Sequence, residues 1–257
     1  MTDNKKTIHS FDFKLICEYF CGMQQQGPGS PEITLKALSF IEGLNKNSRI
    51  VDIGCGTGAP TMTLAKNTKA QITGIDLFPE FIDIFNANVQ KQGLQDRIKG
   101  VVGSMDNLPF KDEELDLIWS EGAIYNIGFE KGLNEWRKFL KKDGYIVVSE
   151  ASWFTEKRPK VIDTFWKNAY PQIDTIAKKV AQMQKAGFIL VATFILPEYC
   201  WIENFYQPQI EVQKKILEKY AGNKTAKEFI TNERHEAELY LKYRKFYGYV
   251  FYIGKKI

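Results

Sequence analysis

Between residues 49 and 150, short apolar runs alternate with longer amphipathic stretches, and this alternation constrains the fold more than any other feature of the chain. The runs at 49–53, 71–75, 98–102, 115–120 and 145–149 have the length and composition of buried strands, and the stretches at 59–66, 80–92 and 131–141 have helical spacing. Strands that alternate with helices make a parallel sheet. Right-handed crossovers then bring the C-terminal ends of all five strands to one edge, where open α/β sheets bind ligands. Two further strands are expected at 188–195 and 246–253, the last antiparallel because only a short connection precedes it.

The expected fold is thus α/β and doubly wound, mostly parallel with an antiparallel C-terminal strand, with N-terminal helices and a C-terminal insertion as a lid. One domain spans 1–257, with a core at 27–150 and lid candidates at 1–26, 151–180 and 197–240. At the N-terminus, Phe11, Leu15, Ile16, Tyr19 and Phe20 recur at helical spacing. Ser30 then has the makings of an N-cap before Pro31, with Ile33, Leu35, Leu38 and Ile41 following on one face. The intervening Gly27-Pro28-Gly29-Ser30 reads as a hinge.

Composition removes several classes of function. An apolar content of 44% in 257 residues supports a sizeable core. No apolar run is long enough to span a membrane and the start is polar, so a cytoplasmic protein without a membrane partner is expected. Four cysteines (Cys17, Cys21, Cys55, Cys200) do not make a disulfide framework, and Cys17 and Cys21, on one helix face, are assigned no chemistry. The 35 basic and 31 acidic residues are mixed along the chain, which disfavours a nucleic-acid partner. Lys242, Arg244, Lys245, Lys255 and Lys256 form a basic end, read as the solvated edge of a terminal strand. His9 and His235 lie far apart, so no histidine-rich metal site is expected. A monomer or homodimer is equally compatible with these features.

The sharpest motif is Val51-Asp52-Ile53-Gly54-Cys55-Gly56-Thr57-Gly58, set between a predicted strand and a predicted helix. Its glycines permit a sharp turn and let a ligand approach bare backbone. Asp76 ends the next strand, where a carboxylate can accept both hydroxyls of a ribose. A dinucleotide fingerprint wants its third glycine three residues after the second, whereas Gly58 follows Gly56 by two, and Asp52 puts a carboxylate suited to an amino group where a pyrophosphate would be repelled. A sulfonium nucleoside fits this loop better than a nicotinamide cofactor.

The series Asp52 to Gly58, Gly74-Ile75-Asp76, Gly103-Ser104-Met105-Asp106-Asn107-Leu108-Pro109-Phe110 and Leu115-Asp116-Leu117-Ile118 resembles the class I S-adenosylmethionine-dependent methyltransferases, which have a Rossmann-like fold. It is most similar to their small-molecule branch, which includes the quinone-biosynthesis C-methyltransferases. The resemblance implies S-adenosyl-L-methionine as cofactor. Asp52, Gly54, Cys55, Gly56 and Gly58 would hold its methionine part, Asp76 its ribose, and Leu77 and Met105 the two faces of adenine. Where the family commonly has an aspartate for the adenine amino group, this chain has Ser104, with Asp106 two residues on. At Leu140-Lys141-Lys142-Asp143-Gly144 it also lacks the family's usual proline and glycines, a change remote from the cofactor.

Methyl transfer from a sulfonium needs alignment, exclusion of water and sometimes removal of a proton. Glu121, in the loop after the fourth strand, is the candidate for that last task or for binding a cationic amine. It is equally readable as a contact to cofactor or backbone, and Glu150 is a weaker candidate of the same kind. Tyr125, Trp153, Tyr199, Trp201 and Tyr206 are candidates to wall a small-molecule substrate, although aromatics at this density, with Trp166, Tyr170 and Phe205 among them, are also the material of a core or an interface. The alternatives to a small-molecule enzyme are a cofactor-binding module without transfer, and an RNA or protein methyltransferase working through the basic end.

Overall fold

The computed structural model describes residues 13–257. Eight strands form one sheet: β1 (Arg49–Ile53), β2 (Gln71–Asp76), β3 (Ile98–Val102), β4 (Leu115–Glu121), β5 (Leu140–Trp153), β6 (Asp174–Thr175), β7 (Phe188–Ile195) and β8 (Tyr247–Lys256). The order is β3-β2-β1-β4-β5-β8-β7, with the two-residue β6 paired to the end of β5. All neighbours from β3 to β5 run parallel, and β8 runs antiparallel between β5 and β7. The sheet is doubly wound, mostly parallel, with an antiparallel C-terminal strand.

Successive residues of the parallel strands enter opposite cores. Ile50, Ile72, Leu117 and Val147 pack on one face, while Val51, Ile53, Ile75, Ile118 and Val148 pack on the other. The first core takes α1 (Phe13–Cys21), α2 (Pro31–Leu38), α3 (Ala59–Asn67) and α4 (Pro79–Lys91), through residues such as Tyr19, Ile33, Leu64 and Phe85. The second takes α5 (Phe129–Trp136) through Phe129, Leu133 and Trp136. Both faces being covered explains why these strands read as continuous apolar runs.

Several expectations need correction. Phe11 and His9 lie outside the described residues. The Ser30 hydroxyl does accept the Ile33 amide at 3.2 Å, but α2 stops at Leu38, so Ile41 is not helical, and Leu35 is exposed while Thr34 and Ala37 are buried. The helix expected at 131–141 begins at Phe129 and ends at Trp136, followed by a 3₁₀ turn at Arg137–Phe139. Strand β5 then starts at Leu140, five residues before the expected start, because Leu140 pairs with Leu115 while Asp143, at φ 62°, absorbs the irregularity. Strand β8 is no solvated edge. It lies inside the sheet, where the Lys256 ammonium bonds the Leu140 carbonyl at 2.5 Å and the Lys255 ammonium stands 3.5 Å from Asp143.

The segment after Glu150 is also more regular than its sequence pattern implies. It holds α6 (Lys160–Ala169), α7 (Ile176–Lys185), α8 (Glu198–Trp201), a π turn at Ile202–Tyr206, α9 (Gln207–Lys219) and the twenty-residue α10 (Lys224–Tyr243). Only five residues of α10 are buried, so its amphipathic stripe is thin. Tyr206, Phe229 and Tyr240 of this helical layer join the core that also holds α1. Among the described residues no helix is long and apolar enough to cross a membrane.

Candidate active site

The C-terminal ends of β1, β2, β4 and β5 meet at one edge and are tied together by hydrogen bonds. The amides of Gly54 and Cys55 both donate to the Ile75 carbonyl, at 2.8 and 3.1 Å, which folds the glycine turn back over β2. Gly54 and Gly56 have φ of 72° and 53°, where a side chain is strained, and a Cβ would overlap Ala123 at the first and the Gln26 amide at the second. The Ser120 hydroxyl donates to the Ile53 carbonyl at 2.8 Å, and the Ser149 hydroxyl accepts the Gly122 amide at 2.8 Å. These bonds hold the Glu121 turn beside the glycine loop.

Asp76 caps the loop from below. One carboxylate oxygen accepts the Gly56 amide at 2.9 Å and the other accepts the Phe78 amide at 3.1 Å. Burial raises its carboxyl above the ordinary range, against the pull of those amides. Asp52 is set deeper than its sequence position suggests. It is 1% exposed, accepts the Thr61 hydroxyl at 2.5 Å, and is pushed up to about 7 by burial and then by the nearby Asp76. Cys55 is buried and free, its thiol raised by the same burial. Leu77, by contrast, is 59% exposed beside Asp76.

The third motif divides in two. Met105 turns inward, its Cε 3.7 Å from where a Cβ of Gly54 would stand, and its carbonyl accepts the Trp136 indole at 3.0 Å. Asp106 turns outward to Lys131 at 2.7 Å. Ser104 closes the local turn by accepting the Asp106 amide at 3.3 Å.

Glu121 is half-buried, and one of its oxygens accepts both the Thr34 hydroxyl at 2.8 Å and the Trp119 indole at 2.9 Å. Burial pushes its carboxyl up to about 7, against those two donors. Glu150 is 0% exposed and neither of its oxygens is hydrogen-bonded. The buried Lys179 ammonium stands 3.7 Å away, over the Phe129 ring and bonded to the Tyr170 hydroxyl at 3.2 Å. Burial also lifts Glu150 to about 7, and Lys179 is lowered by the same cause.

The aromatic candidates separate by role. Trp201 is stacked on Tyr240 at 4.4 Å and Trp153 packs on Tyr247 at 5.8 Å, both within the core. Tyr199 shares a hydrogen bond with Ser30 at 3.2 Å. Tyr206 donates to Glu236 at 3.3 Å, and Tyr125 faces Tyr170 at 5.9 Å.

Gln26, Thr34 and Tyr249 also reach this region and carry no signal in the sequence. The Gln26 carbonyl accepts both the amide and the hydroxyl of Thr57, at 3.0 and 3.2 Å, laying the N-terminal segment across the glycine loop. A polar residue before a Gly-Pro-Gly turn has no periodicity that would reveal such a contact.

The methyltransferase domain family matches residues 51–148, the span that contains the glycine turn, Asp76 and Glu121. Over this span the chain is similar to methyltransferase domains. The chain is 34% identical over 113 residues to a ubiquinone/menaquinone biosynthesis C-methyltransferase of Citrifermentans bemidjiense, covering 43% of this chain and 48% of the relative. A sterol 24-C-methyltransferase of Gibberella zeae is 29% identical over 159 residues, which is 58% of this chain and 41% of that protein. The chain thus spans less than half the length of these curated relatives. In fold, the whole chain is similar to an S-adenosylmethionine-dependent methyltransferase from Geobacter sulfurreducens solved with S-adenosyl-L-homocysteine, with a TM-score of 0.82 at 17% identity over 95% of this chain and 98% of that one.

Proposed function

We propose that the protein transfers a methyl group from S-adenosylmethionine to a small molecule, through a single domain in which the helices after β5 cover the sheet edge. The reading rests above all on the glycine turn, whose three left-handed glycines leave bare backbone beside a carboxylate that accepts the loop's own amide. The residues suit the cofactor. Backbone at Gly54, Gly56 and Gly58 would border its methionine part, Asp76 retains lone pairs for ribose hydroxyls, and Leu77 and Met105 supply apolar contact for a flat base. Asp106 is committed to Lys131, which leaves Ser104 for the adenine amino group. Asp52, bonded to Thr61, positions the start of α3 behind the loop.

The sulfonium supplies an activated methyl group. What the protein adds is alignment and a dry surround. Glu121, fixed by Thr34 and Trp119, keeps an oxygen to orient the acceptor or take its proton. The relatives named for sterols and quinones support a small-molecule acceptor.

Calorimetric titration tests this reading. S-adenosylmethionine and S-adenosylhomocysteine should bind while NAD does not, and Asp76→Ala should weaken binding by about 1.5–3 kcal/mol, the range for a lost charged hydrogen bond. NAD binding without sulfonium binding would overturn the proposal, and undiminished affinity in the variant would remove Asp76 from the site.

A further inference from the structure

Helix α10 carries Glu233 and Glu236, three residues apart and therefore on one face. Both are half-buried, and among the described residues neither has an ion pair. Glu236 accepts the Tyr206 hydroxyl at 3.3 Å, and burial, with the Glu236 charge added to it, raises the Glu233 carboxyl. The cations nearby are engaged elsewhere. Arg234 donates to Gln213 at 2.7 Å, and Lys179 is held at Glu150.

The tyrosines around this pair make a second, independent observation. Tyr247 is 1% exposed, yet its hydroxyl has no hydrogen-bond partner, and its ring packs on Tyr240, which packs on Tyr206, the donor to Glu236. Tyr249 packs on Trp201 at 4.8 Å, and Trp201 packs on Tyr206 at 6.0 Å. Tyr249 also connects the region to the chemistry, since its ring lies 2.8 Å from where a Cβ of Gly122 would be, next to Glu121. A buried hydroxyl left without a partner is costly, and aromatic faces with carboxylates behind them are complementary to a cation.

We propose that the space between the Glu121 turn and α10 binds an organic ammonium ion, with Glu233 and Glu236 as counter-charge and Tyr125, Tyr206, Tyr247 and Tyr249 as its walls. A cation entering there neutralises carboxylates that otherwise repel each other. An anionic acceptor would meet like charge, and a neutral one would leave the acidic pair uncompensated. The proposal deepens the methyltransferase reading, on which it rests for the direction in which the ion's nitrogen or its substituents face Glu121.

The test is calorimetry on the full chain saturated with S-adenosylhomocysteine, using choline against 3,3-dimethyl-1-butanol and 2-phenylethylammonium against 2-phenylethanol. At least one cation should bind about tenfold or more tightly than its neutral counterpart, and Glu233→Gln with Glu236→Gln should erase that preference while leaving S-adenosylhomocysteine affinity intact. If neither ammonium ion outbinds its alcohol, or the paired variant keeps the preference, the cation site is rejected. Should the paired variant melt early, Glu236→Gln alone must weaken the cation several-fold, and unchanged binding there rejects the site equally. Failure of S-adenosylhomocysteine to bind the unaltered protein would instead overturn the methyltransferase reading.

Discussion

At the residue scale, Glu121 carries the most consequence. Two donors favour its carboxylate and burial opposes it, and burial prevails to place the group at about 7. If the ionised form orients or deprotonates the acceptor, turnover should rise about tenfold between pH 6 and pH 8, following the ionised fraction. Glu121→Gln should flatten that rise and lower turnover with little effect on cofactor affinity. Equal turnover in the variant would leave transfer to proximity alone. The position of Glu121 was legible because it follows a strand whose end must face the ligand edge. Its partners were not, since Thr34 lies 87 residues away in sequence and comes near only when α2 packs on the sheet.

At the scale of elements, α7 and β5 are joined by a buried charge pair of unusual isolation. Lys179 and Glu150 stand 3.7 Å apart, and neither Glu150 oxygen has a hydrogen bond. Removing one partner leaves the other buried alone, so Lys179→Met should destabilise the protein by about 3 kcal/mol at pH 8. Combining it with Glu150→Gln should restore most of the loss, because a neutral pair has no charge to desolvate. Urea unfolding of the three variants checks this, and additive losses would show that the two side chains do not interact. The element boundaries explain which parts of the chain were readable. Strands β1 and β3 end where their apolar runs end, but α5 gives way early to β5 because Leu140 finds a strand partner in Leu115. That pairing overrides local helical spacing.

For the whole molecule, the buried carboxylates set the pH dependence of stability. Asp52 and Glu121 are lifted to about 7 and Glu233 to about 8, from ordinary values of 3.8 and 4.5. Between those ordinary values and the raised ones, the folded chain binds more protons than the unfolded chain, so stability falls as pH rises through that window. Glu18 and Asp163 are lowered by bonds to Lys219 and Lys167, and their contribution is lost only as pH drops below about 4.5. The melting temperature should therefore be higher at pH 5.5 than at pH 8, and Glu121→Gln should narrow the gap. An equal or higher value at pH 8 would contradict the burial that raises these groups. By itself the sequence determined the alternating core, the glycine turn and the register of Asp76, because strand periodicity and positive-φ backbone leave a local imprint. Only the tertiary structure decided that β8 lies inside the sheet, that Gln26 crosses the glycine loop, and that Glu236 meets Tyr206. Those arrangements depend on contacts between segments far apart in the chain, whose spacing carries no periodic trace, and on burial, which only packing creates.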